Sequence, residues 1–291
     1  LPLPLLQRSF DGHGGIRKIL LGSGRAGESP NLIISVTQGA LALASGGLVG
    51  FSLGLIGGGG SVLGVPLMIY VVGVSEPHVA IGTSAIAVAA NAAINLANHA
   101  RGGTVVWSCA LPFALAGIVG AFLGSLLGKM VDGHKLLALF ALVMFVIAAL
   151  MLKNRARAGV PDVKMTRTNL PAIAGLGLVT GMTSGFFGIG GGFLIVPALM
   201  LATGMPIMNA ISSSLVAVTA FGTTTAASYA WSGLVSWPLA ALFVLGGIGG
   251  GLVGTRSAKV LSARRGALNV AFAIVIIAVA VYMLVRNLSL S

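Results

Sequence analysis

The chain has 291 residues, of which 56% are hydrophobic and 8% charged, and its mean hydropathy is +1.03. Soluble domains carry about a quarter of their residues as charged side chains, so a soluble globular fold is excluded. The net charge of +12 would suggest nucleic acid in a soluble protein, but the 17 Lys and Arg sit in short segments beside apolar runs, where they read as cytoplasmic anchors, and a basic face cannot form inside lipid.

Residues 1–30 form a polar N-terminal tail carrying Arg8, Arg17, Lys18 and Arg25 among glycines. Charge-free runs follow at 31–75, 77–100, 102–128, 136–152, 168–255 and 266–285. Roughly 20 apolar residues suffice to cross a bilayer core, so the sequence predicts an all-α polytopic membrane protein. In the first unit, 31–152, a long helix over about 31–56 meets a glycine-rich break, then a short helix at 61–74 and three further long helices. The segment 153–169 holds Lys153, Arg155, Arg157, Lys164 and Arg167 against one acid, Asp162, which predicts a cytoplasmic linker. The second unit, 170–288, runs in the same order: a helix at 170–187, a glycine-rich break, a short helix at 192–204 and three more long helices. Rising 1.5 Å per residue, the short helices cannot span. They are expected as half-helices or re-entrant segments buried against protein, because unpaired backbone cannot face lipid.

The two units repeat one sequence pattern. GLIGGGGSVLGVP from Gly54 aligns with GFFGIGGGFLIVP from Gly185, so that Pro66 matches Pro197. AIGTSAIAV at Ala80 then aligns with AISSSLVAV at Ala210, Gly103 with Gly233, Trp107 with Trp237, GIVGAFLG at Gly117 with GIGGGLVG at Gly247, and Lys129 with Lys259. Arg256, Lys259, Arg264 and Arg265 form a second basic cluster. If it is cytoplasmic like the linker, each unit crosses an odd number of times and the repeats are inverted, a recurring transporter design. A parallel arrangement would put that cluster outside.

The chemistry-bearing residues gather at the breaks. Gly58, Gly59 and Gly60 ahead of Ser61, and Gly190, Gly191 and Gly192 in the second unit, let the backbone bend and leave the N–H groups of a new helix free to hold an anion. The competing reading is close helix packing through small residues, which we assign to Gly117, Gly120, Gly124 and the 247–251 glycines. Thr83 and Ser84, with Ser213 and Ser214 beside Ser212, either donate to that anion or cap the helix that follows. Asn91, Asn95, Asn98 and His99 share one helix face. That stripe either lines a pathway or makes interhelical hydrogen bonds, and His99, followed by Arg101 and Gly102, is expected near the membrane interface. Neither the lone Cys109 nor the scattered His13, His78, His99 and His134 has a metal-ligand spacing. No Asp, Glu, Lys or Arg falls within an expected span, so no proton-relaying carboxylate, enzyme site or cofactor is expected, and an anion would be held by neutral donors and helix dipoles.

The twin breaks GGGGSVLGVP and GIGGGFLIVP, followed by AIGTSAIAV and AISSSLVAV, resemble the TauE/SafE family of membrane transporters, over nearly everything after residue 30. The resemblance implies export or uptake of sulfite or an organosulfonate such as sulfoacetate, driven by an ion gradient. It carries the glycine turns, Pro66, Pro197 and the hydroxyls Thr83, Ser84, Ser213 and Ser214. The expected protein is thus a multi-pass secondary transporter of the bacterial inner membrane, with a small anion, a coupled ion, the lipid bilayer and a second copy of itself as partners, and no nucleic acid. A gated anion channel of the same architecture is the alternative.

Overall fold

In the computed structural model the described residues are 35–133, 135–140, 142–143, 166, 169–188, 192–262, 277 and 281. The tail 1–30, most of the linker 153–169, and Gly190 and Gly191 lie outside them. Among the described residues all regular structure is helical. The helices are α1 (Val36–Ile56), a 3-10 turn (Gly57–Leu63), α2 (Gly64–Tyr70), α3 (Pro77–Arg101), α4 (Trp107–Met130), α5 (Leu170–Phe187), α6 (Gly192–Thr203), α7 (Ile207–Trp231) and α8 (Trp237–Ser262).

Local sequence sets these limits. Ser35 caps α1 by accepting the Gln38 N–H at 3.1 Å, and prolines open α3 and α5, where the missing N–H would have had no helical partner. Between elements the backbone turns at glycines, among them Gly73 and Gly204, then Gly103 and Gly233, all with positive φ. The short helix of the first unit begins differently from the sequence expectation. Four consecutive glycines wind as 3-10 before α-helix resumes at Gly64, so Ser61 lies inside the tight turn instead of opening α2.

Among the described residues, six stretches are long and apolar enough to cross a membrane: 36–70, 77–101, 107–130, 170–187, 207–231 and 237–258. Their outer faces carry bare apolar side chains such as Leu115, Phe122, Val179 and Val253, which in lipid need no protein cover. The chain is therefore a multi-pass membrane protein. Inside it, α3 and α7 are the most buried spans, and they pack on each other. Around them α1 pairs with α8 and α4 pairs with α5. Both outer pairs approach backbone to backbone: a Cβ on Gly50 would enter Gly247, and one on Gly185 would enter Ala121. Such contact between small residues replaces the hydrophobic drive that lipid removes, and it matches the packing role read for Gly247, Gly250 and Gly251 but not for Gly249, which faces open space.

Candidate functional site

The two breaks meet. Gly57 and Gly188 each turn with positive φ, 68° and 70°, a conformation that side-chain-bearing residues avoid. Each is also covered by an isoleucine of the other unit, Gly57 by Ile211 and Gly188 by Ile81. Just beyond, the chain crosses itself at Gly58 and Gly192, where a Cβ on Gly192 would collide with the Gly58 carbonyl. Here the glycines are required by a close approach of two backbones, at the place where both helices are interrupted.

Serines close the crossing. Ser214 Oγ accepts the Gly58 N–H at 2.9 Å and donates to Ile211 O at 2.7 Å. Ser61 Oγ donates to Gly58 O at 2.8 Å and accepts the Gly192 N–H at 3.3 Å. Two N–H groups that the sequence leaves free for a ligand are thus engaged by hydroxyls across the crossing. Ser84 lies beside it, its Cβ 3.4 Å from the position a Cβ on Gly64 would take, and its hydroxyl donates to Ile81 O at 3.0 Å. Gly58, Gly59, Gly60, Ser61, Ser84, Gly192 and Ser214 are all buried.

Thr83 and Ser213 do something else. The Ser236 N–H, just ahead of α8, donates to Thr83 Oγ1 at 2.9 Å, and the Val106 N–H, at the start of α4, donates to Ser213 Oγ at 2.9 Å. Neither hydroxyl caps its own helix. Each instead accepts from an N–H at the N-terminus of another helix, α8 for Thr83 and α4 for Ser213, a tie between distant parts of the chain that the sequence reading did not foresee.

Asn91 and Asn95 belong to a separate polar layer between α1, α3 and α8. A Cβ on Gly247 would fall on the Asn91 amide, and one on Gly251 would lie 2.7 Å from Asn95 Nδ2. Asn95 donates to Asn91 O at 2.9 Å and accepts from Thr255 Oγ1 at 3.0 Å. Neither amide atom of Asn91 has a partner among the described residues, although the side chain is fully buried. One turn on, His99 is 2% exposed, buried where its sequence neighbours suggest an interface. Its ring lies between Gly54 O, 3.3 Å from Nε2, and Ser212 Oγ, 3.1 Å from Nδ1. Sequence reasoning left Thr104 and Thr255 outside the candidate set and named Ser212 only with Ser213 and Ser214, not with His99; the fold over His99 and Asn95 comes from the loop after α3, from α7 and from α8, which no local pattern joins. Among the described residues the buried polar side chains are Ser, Thr, Asn, one His and Tyr229, with no Asp, Glu, Lys or Arg, and no group of acidic, His or Cys side chains could hold a metal ion.

The family profile described as "Sulfite exporter TauE/SafE" matches residues 42–283. A "Probable membrane transporter protein" of Xylella fastidiosa (strain 9a5c) is 53% identical over 248 residues, covering 84% of this chain and 94% of the relative. The "Probable membrane transporter protein YunE" of Bacillus subtilis is 30% identical over 232 residues, 72% of this chain and 84% of the relative. A further "Probable membrane transporter protein", from Methanocaldococcus jannaschii, is 28% identical over 216 residues, 68% and 79% of the two chains. No solved structure matches the chain.

Proposed function

The chain belongs to the TauE/SafE family of membrane transporters, and from that premise we propose that it is a secondary carrier for a small sulfur-containing anion, sulfite or an organosulfonate such as sulfoacetate, bound where its two broken helices cross. The observation that carries this reading is the buried crossing itself, with Gly58 against Gly192 and serines from both units closing it. Its donors are the N–H groups of Gly58 and Gly192 and the hydroxyls of Ser61 and Ser214. With no anion they satisfy one another and neighbouring carbonyls; with an anion between the breaks they turn to its oxygens. Neutral donors suit cargo that must leave again, since a buried fixed cation would hold it in a deep well.

Two repeats in inverted orientation make alternating access natural. The helix pairs support this, because exchanging the units turns the α1–α8 pair into the α5–α4 pair and leaves α3–α7 unchanged. Counterflow in proteoliposomes against sulfite, sulfoacetate, taurine and sulfate tests the function. Saturable, trans-stimulated exchange of a sulfur oxyanion is expected. Flux linear in concentration with no trans-stimulation would replace the carrier with a gated anion channel, and no flux of any of the four would remove the anion reading.

A further inference from the structure

Resting on the carrier reading, we propose that His99 is a proton-binding site whose occupancy couples anion movement to a proton gradient. The side chain is buried in the last turn of α3, yet both ring nitrogens face oxygen: Nε2 lies 3.3 Å from Gly54 O and Nδ1 lies 3.1 Å from Ser212 Oγ. A carbonyl only accepts, so Nε2 carries a hydrogen. A hydroxyl both donates and accepts, so Nδ1 is served in either state.

The Ser212 surroundings complete both states. Its Oγ lies 2.9 Å from Met208 O and accepts Thr104 Oγ1–H at 2.7 Å. With neutral His99, Ser212 gives its hydrogen to the Nδ1 lone pair. On protonation, a proton delivered from water bonds to Nδ1, Ser212 turns its own hydrogen to Met208 O, and its two lone pairs accept Nδ1–H and Thr104 Oγ1–H. Release of the Nδ1 proton to water on the other side restores the first arrangement. No heavy atom need move, and the imidazolium is fully hydrogen-bonded, the condition for burying a charge.

Among the described residues, the other titratable groups on the elements packed around His99 lie away from it. The 3-10 turn and α1 have none, α2 has Tyr70, and α7 has Tyr229 near its opposite end. On α3 itself His78 is at the far end and Arg101 is exposed, while α8 contributes exposed Arg256 and, in sequence, Lys259. None of these elements carries Asp or Glu, and imidazole is the side chain that titrates in the neutral range.

His99 is also placed to act on the crossing. In an unbroken α-helix the Gly54 carbonyl would accept the N–H of Gly58, but that N–H is turned to Ser214. His99 therefore ties the last turn of α1 to Ser212 of α7, while Ser214, two residues on, holds the far side of the same break. Charge-assisted hydrogen bonds are roughly twice as strong as neutral ones, so a proton on His99 tightens this clamp and its loss loosens it. Proton and anion affinities are then linked reciprocally.

The test uses the full chain in two measurements. In detergent, imidazole nitrogen NMR of the wild type, with His99→Gln to identify the signal, should show His99 passing from one to two N–H groups between about pH 5 and 8. In proteoliposomes, an imposed pH gradient should stimulate sulfoacetate flux about tenfold, and the ratio of flux with gradient to flux without should fall to about one in His99→Gln. Sulfoacetate is the probe because it keeps one charge state across this range, whereas sulfite takes up a proton itself. Ser212→Ala, which leaves the ring in place, should also lower the ratio. A single His99 state across the range overturns the proton site, and a gradient ratio retained by His99→Gln overturns the coupling. Titrating His99 in a protein that moves none of the four anions supports the site and removes only the anion reading.

Discussion

At two matched pairs of positions the halves of the molecule behave in opposite ways. Thr83 and Ser213 are interchangeable: each accepts, at 2.9 Å, an N–H that opens a helix in the other half, from Ser236 and Val106. The matched pair His99 and Tyr229, further along these helices, is not. His99 is held by Gly54 O and Ser212 Oγ, whereas the Tyr229 hydroxyl is buried without a partner among the described residues. The Tyr229 ring stacks on His78 at 6.4 Å and lies 5.8 Å from the Lys129 ammonium. Parts that hold the halves together are thus present twice, while the group suited to gain and lose a proton is present in one half only.

The most severe way to break the shared part is at the crossing. Gly192→Ala would drive a Cβ into the Gly58 carbonyl, and because backbone rather than a flexible side-chain tip stands in the way, the loss should be about 3 kcal/mol, at the upper end of overpacking effects. Gly249→Ala, where nothing lies within 4 Å, should leave stability unchanged. Cys109 is the only cysteine and is fully buried, so its reaction with a thiol dye during heating reports unfolding directly. Equal unfolding midpoints for the two variants would mean that the breaks do not meet as described. Gly120 is a poor neutral reference, since a Cβ there would enter the Leu178 carbonyl.

The shared ties should give a smaller and symmetrical effect. Thr83→Val keeps the shape and leaves the Ser236 N–H without an acceptor, and Ser213→Ala does the same to Val106. Each should lower stability by about 1–2 kcal/mol, the worth of a helix N-cap, while Thr83→Ser and Ser213→Thr hold near wild type in the same thiol-dye assay. A loss confined to one half would show that the two ties are not equivalent.

Much of this was legible in the sequence because membranes simplify the code. Charge-free runs mark the described spans, while the runs 136–152 and 266–285 lie mostly outside the described residues; the 3-10 turn falls on the first glycine run ahead of Pro66, and α6 begins at Gly192, the last glycine of the second run, with Pro197 inside it. The destination of the hydroxyls was not legible. Thr83 and Ser84 are neighbours in sequence, but one reaches Ser236 and the other turns back to Ile81 O, a divergence of helical phase that only the packed partner resolves. The burial of His99 was hidden for a related reason. Arg101 and Gly102 signal a helix end, and the cover comes from Ser212, more than a hundred residues away. Asn91 and Asn95 could be put on one face but not against glycines of α8, since nothing local links α3 to Gly247 and Gly251.

The smallest effect should come from Asn91, where the sign is informative. Its amide is fully buried, presses on Gly247, and has no partner on either atom among the described residues. A buried amide without hydrogen bonds is unfavourable, and an apolar residue of similar size removes that penalty. Asn91→Leu should therefore raise stability by about 1 kcal/mol if the amide serves only packing, with counterflow unchanged. If the amide serves the pathway, the same gain in the thiol-dye assay should come with weaker anion exchange, because a position kept polar against its own stability is being used in transport. Lower stability in Asn91→Leu would mean that both atoms are satisfied in the working protein, and would turn the polar layer beside α8 from a passage into a brace. Asn95 supplies the contrast: already bonded to Asn91 O and Thr255, it should lose stability on the same change to Leu whichever role Asn91 has.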